Sequence, residues 1–64
     1  MLNPTLMLFK EQIELTEINI QAIEIHLDEI EKDNTREIGL LRTILEQYRA
    51  LLSALELAVR ALTS

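Results

Sequence analysis

The sequence predicts an all-α fold, an antiparallel two-helix hairpin with coiled-coil-like packing, and three observations carry that expectation. Two apolar ladders step by three and four residues, the spacing that holds side chains on one stripe of a helix. The first is Leu6, Phe9, Ile13, Thr16, Ile20, Ile23, Leu27 and Ile30; the second is Ile38, Leu41, Leu45, Tyr48, Leu52, Leu55, Val59 and Leu62. The ladders mirror each other about Asn34: Ile30 pairs with Ile38, Leu27 with Leu41, Ile23 with Leu45, down to Leu6 with Leu62, and every pair of numbers sums to 68. Between them lie Asp33, Asn34 and Thr35, whose side chains compete for backbone hydrogen bonds and disfavour helix interiors.

Taken in order, Asn3 and Pro4 predict a helix start. Asparagine caps the free N–H groups, and proline at the first helical position sacrifices no bond. The first helix is expected from about Pro4 to about Lys32, roughly 43 Å at 1.5 Å per residue. The turn is expected at 33–35, with Asn34 and Glu37 forming a capping box in which asparagine stands in for serine or threonine. The second helix is expected from about Thr35 to about Leu62, so that one hairpin occupies residues 1–64. The competing reading is a single continuous helix, with Leu27, Ile30, Asn34, Ile38 and Leu41 as a stutter that draws Asn34 into the seam. Three consecutive weak helix formers favour the turn.

With Leu6 and Ile38 labelled as heptad position a, the e positions hold Lys10, Glu17 and Glu24 on the first helix and Arg42, Arg49 and Glu56 on the second. In an antiparallel pair e faces e. The expected ion pairs are Lys10 with Glu56, Glu17 with Arg49, and Glu24 with Arg42. At about 0–1 kcal/mol for each exposed pair, they would select register more than stability.

Composition narrows the function. A chain of 64 residues allows one small domain, which buries a limited share of its surface and needs a staple or a partner. It has no cysteine and one histidine, so neither a disulfide nor a typical zinc site is expected. A net charge of -5 with 3% aromatic residues argues against nucleic acid and anionic membranes, which call for basic footprints. No apolar run approaches the roughly 20 residues of a membrane span, and the first residues lack the pattern of a signal peptide. A cytoplasmic protein is expected.

The apolar residues left outside the ladders are the functional evidence. The first helix carries a second stripe at positions c and f: Leu8, Leu15, Ile18, Ala22 and Ile25. The second helix carries surplus at c and g: Leu40, Ile44, Leu51, Ala54, Ala58 and Ala61. The g edges of the two helices share one side of the hairpin, so the c stripe of the first helix and the c and g stripes of the second form one broad lateral face. Monomers rarely leave such a face wet. These eleven residues are the expected partner-binding set, and the alanines let another helix approach closely. A polar seam of Thr5, Gln12, Asn19 and His26 crosses the face at position g. It reads either as a half-solvated edge or as a device that fixes register on burial. Thr16 interrupts the core ladder, and its hydroxyl is expected to bond its own helix.

Signals for catalysis are missing. Glu14, Glu17, Glu24, Asp28 and Glu31 form an acidic strip at e and b, which reads as a solvated face. The Glu-x-x-His motif of di-iron bundles is absent, because Ile23 stands three residues before His26. Gly39 stands alone and forms no phosphate loop. No enzyme activity, cofactor, metal, nucleic acid or small-molecule substrate is expected.

The stretch Leu27 to Leu62 carries a resemblance to a known family, and within it Leu45-Glu46-Gln47-Tyr48-Arg49-Ala50-Leu51-Leu52-Ser53-Ala54-Leu55-Glu56 is similar to that family's second helix. That family is the small co-chaperones of type III secretion needle subunits, the YscE-like proteins. The turn Asp33-Asn34-Thr35 stands where the family often carries glycine. The resemblance implies a hairpin that binds and stabilises a larger helical-repeat chaperone, so that together they keep the needle subunit from polymerising in the cytoplasm. The alternative is a homodimeric four-helix bundle serving as an adaptor or regulator, built through the same face by a second copy of the chain.

Overall fold

A computed structural model describes residues 3–63. It contains two helices, α1 (Pro4–Glu29) and α2 (Thr35–Thr63), packed as an antiparallel hairpin measuring 53 × 14 × 12 Å. The single-helix alternative is excluded.

Helix α1 begins as its capping residues dictate. The Asn3 side-chain oxygen accepts from the N–H groups of Thr5 at 3.0 Å and Leu6 at 3.2 Å, and Pro4 occupies the first turn. The C-terminal end differs from the expectation. Helix α1 stops at Glu29, three residues before Lys32, and Ile30 leaves the helix in extended conformation (φ -76°, ψ 146°). The reversal therefore takes the five residues 30–34, not the three at 33–35. The reason is geometric. Helix axes packed through large side chains lie about 8–10 Å apart. A chain leaving one helix must cross that gap before the next can start; with Asn34 held as the cap of α2, the extra length comes from the end of α1, and five residues is the upper end of the two to five that join helical hairpins. Ile30 still folds inward and is half-buried.

The start of α2 is the expected capping box, closed in a variant way. The Glu37 N–H donates to Asn34 Oδ1 at 3.4 Å, and Asn34 Nδ2 donates to Glu37 Oε2 at 2.7 Å. In the usual box the acidic side chain reaches back to the backbone N–H of the capping residue. Here that N–H donates to the carbonyl of Glu31 at 3.0 Å, which ties off the loop.

Burial follows the ladders closely. Every ladder residue is buried or half-buried except Leu62, at the open end, which is 39% exposed. Off the ladders, Glu37 and Ala58 alone among the described residues are half-buried; the others are exposed. Two residues are truly buried, Leu45 at 7% and Thr16 at 4% exposure. Thr16 meets the cost of a buried hydroxyl within its own helix, donating to the Gln12 carbonyl at 2.6 Å.

Candidate interaction surface

Two side-chain contacts crossing between the helices, an ion pair and a hydrogen bond, settle which edges face each other. Arg49 Nη2 donates to Glu24 Oε2 at 3.1 Å, joining the e edges. His26 Nε2 lies 3.1 Å from Glu37 Oε1, joining the g edges at the turn end. The e and b stripes therefore share one side of the hairpin, and the c and g stripes share the other.

The ion-pair register differs from the expectation. Glu24 pairs with Arg49, not Arg42, and neither Glu17 with Arg49 nor Lys10 with Glu56 forms a pair. Side-chain direction explains this. Every Cα–Cβ bond tilts towards the N-terminus of its own helix. In α1 that direction leads away from the turn; in α2 it leads towards the turn. Under the ladder pairing, Glu24 lies nearer the turn than Arg49, so their side chains converge. Arg42 lies nearer the turn than Glu24, so that pair diverges, and Glu17 with Arg49 diverges for the same reason. The step from Arg42 to Arg49 is one heptad, so the same edges remain in contact.

The expected partner-binding residues are all exposed except Ala58, which is half-buried by the α1–α2 contact. On α1, Leu8, Leu15, Ile18 and Ile25 present large apolar side chains with Ala22 among them; on α2, Leu40, Ile44 and Leu51 do so, followed by Ala54 and Ala61. Exposure of the large residues runs from 40% at Ile44 to 60% at Ile18. Each is thus already about half covered within the hairpin. Complete burial by a partner would add about 1 kcal/mol each, not the 1.5–3 kcal/mol of a fully exposed side chain. Seven such residues still offset much of an association cost of about 4–15 kcal/mol.

Charge is segregated with respect to this face. From residue 5 to residue 22 on α1 and from residue 40 to residue 61 on α2, no c or g position carries a formal charge. The e and b side carries Lys10, Glu14, Glu17, Glu24 and Asp28 on α1, and Arg42, Glu46, Arg49, Glu56 and Arg60 on α2. The polar seam Thr5, Gln12, Asn19 and His26 is exposed in the isolated hairpin. His26 and Glu37 mark the boundary of the uncharged face towards the turn.

Two exposed large apolar residues off the ladders lie outside the expected set: Met7 and Leu57, at 52% and 62% exposure. Each is the one large aliphatic residue at its heptad position on its helix, b for Met7 and f for Leu57, so neither belongs to a repeating stripe that periodicity could reveal. Met7 and Leu8, with Pro4, Lys10, Glu11 and Glu14, line a shallow open groove on the first turns of α1.

Among the described residues, no group of three His, Cys, Asp or Glu side chains is arranged to hold a metal ion, and no helix is long and apolar enough to cross a membrane. No protein-family model matches the chain, and no curated protein or solved structure matches it either.

Proposed function

We propose that this chain is a non-enzymatic helical docking module whose c and g face is covered by helices of another protein. On this reading it is a cytoplasmic co-chaperone that binds and stabilises the helical-repeat chaperone of a type III secretion needle subunit, with no cofactor and no small-molecule substrate. The observation that carries the docking reading is the face itself. Leu8, Leu15, Leu40, Ile44 and Leu51 stand exposed on one uncharged side of the hairpin, where the Arg49–Glu24 ion pair and the His26–Glu37 contact fix the edges. A helical partner suits this face because rows of Leu and Ile with small alanines between them accept the ridges of a packed helix. The co-chaperone role rests on the resemblance of Leu45 to Glu56 to the second helix of that family.

The test is co-expression with the helical-repeat chaperone and needle subunit of the same secretion system, followed by mass measurement of the purified complex. A stable ternary complex is expected, lost in the Leu15→Asp, Leu51→Asp double variant. Undiminished complex formation by that variant would refute the lateral face as the docking surface.

A further inference from the structure

We propose that, when the chain is alone in solution, the c and g face is occupied by a second copy of the same chain, with the two turns at opposite ends of the dimer. The inference rests on the reading of that face as a docking surface and names its occupant in the absence of another protein.

Area is the first argument. The hairpin exposes 5192 Å², whereas a compact monomer of its 7.4 kDa exposes about 4,200 Å². The excess of about 1,000 Å² is close to the roughly 800 Å² that each partner contributes to a standard stable interface.

Charge is the second argument. Two copies that each carry -5 repel one another unless they meet where neither is charged. The c and g face is that place, and pairing there turns both charged e and b sides outward.

The order of side chains along the face supplies the third argument and the orientation. On α2 the face runs from large near the turn (Ile44, Leu51) to small near the open end (Ala54, Ala61). On α1 it runs the other way, from Leu8 near the open end to Ala22 near the turn. A two-fold axis lying across the hairpin and passing between residues 52 and 53 sets Leu51 against the partner copy's Ala54, and Ile44 against its Ala61. The ladder pairing places that level between residues 15 and 16 of α1. There the same axis sets Leu8 near Ala22 and brings Leu15 against the other copy's Leu15 at the axis itself, so that away from the axis large meets small on both helices, as suits a self-complementary two-fold interface.

The polar seam decides between the two possible axes. The transverse axis brings seam to seam, with Gln12 opposite Asn19 and Thr5 opposite His26, since both pairs have their midpoint between residues 15 and 16. Carboxamide meets carboxamide, so each can donate and accept. An axis along the hairpin would lay the seam over Leu51 and Ala58 of the other copy and leave its polar groups unpaired at a cost. The seam thus fixes orientation, the best-attested use of buried polar groups in helical assemblies.

The test has two parts, both on the full chain. Sedimentation equilibrium across a wide concentration range is expected to give twice 7.4 kDa, and a mass of 7.4 kDa throughout would overturn the proposal. Leu51→Asp is expected to weaken dimerisation on the order of 100-fold, and Leu57→Asp, on the outer f stripe, to leave it unchanged; the reverse result would overturn it. For the second part, spin labels at Asp33→Cys leave the face intact. Turns at opposite ends place them about 50 Å apart, whereas turns at the same end would bring them to about 10–20 Å and refute the transverse axis. A monomer whose double variant Leu15→Asp, Leu51→Asp loses the helical-repeat chaperone sinks the self-pairing alone. An antiparallel dimer that never binds that chaperone sinks the co-chaperone reading alone.

Discussion

Truncating two leucines of α2 twelve residues apart separates the core from the surface of this hairpin. Leu45 retains 7% of its exposure and Leu57 retains 62%. Replacement by alanine removes the same three carbons at both sites, at about 0.8 kcal/mol for each carbon fully buried. Leu45→Ala is therefore expected to cost about 2 kcal/mol, near the lower end of the range for core truncations because a two-helix core can collapse into the gap. Leu57→Ala is expected to cost less than about 1 kcal/mol. A domain of this length is stable by only about 3–10 kcal/mol, so the first variant removes a large share of the total. Urea unfolding followed by far-UV circular dichroism reads the difference. With a slope of about 1 kcal/mol per molar, the midpoint falls by about 2 M for Leu45→Ala and by less than about 1 M for Leu57→Ala. Both variants are measured at one protein concentration, since association shifts apparent stability by mass action. Equal midpoints, or a larger drop for Leu57→Ala, would show that the helices do not pack through the Ile38 to Leu62 ladder.

Three further outcomes are expected. Gly39 lies in the first turns of α2 with nothing within 4 Å of an added Cβ, so Gly39→Ala is expected to stabilise by about 0.5–1 kcal/mol. Thermal unfolding would register this as a rise of several degrees, and a fall would mean that something packs against that site. Asn34→Ala removes both side-chain bonds of the capping box and is expected to cost about 1 kcal/mol, with faster amide exchange confined to the first turn of α2; protection unchanged there would show that the box contributes nothing. For the ion pair, Arg49→Glu combined with Glu24→Arg is expected to recover what each single reversal loses, with a coupling of about 0.2–1 kcal/mol in a double-mutant cycle. Coupling of Arg49 to Glu17 in place of Glu24 would restore the register in which residues lie level and contradict the side-chain tilt argument.

Much of this molecule was legible residue by residue. The ladder positions, the Asn3 cap, the Asn34 to Glu37 box and the internal bond of Thr16 are all local or periodic features. Each depends on a side chain's spacing from others on its own helix or on backbone within four residues. The same holds for the residues of the candidate face: once the ladders are assigned to the contact between helices, Leu8, Leu15, Ile18, Leu40 and Leu51 have nowhere to go but outward. Met7 and Leu57 escaped because a single apolar residue off the repeat carries no periodic signal.

What the chain determined by itself was the hairpin, because alternating steps of three and four residues and a run of poor helix formers act through local geometry. Tertiary structure alone decided where α1 ends and which charges meet. The gap between packed helices drew Ile30 to Lys32 into the connection, although nothing in their own preferences ends a helix there. The opposite tilt of side chains on two antiparallel helices carried Arg49 past Glu17 to Glu24, a relation that exists only when both helices are in place.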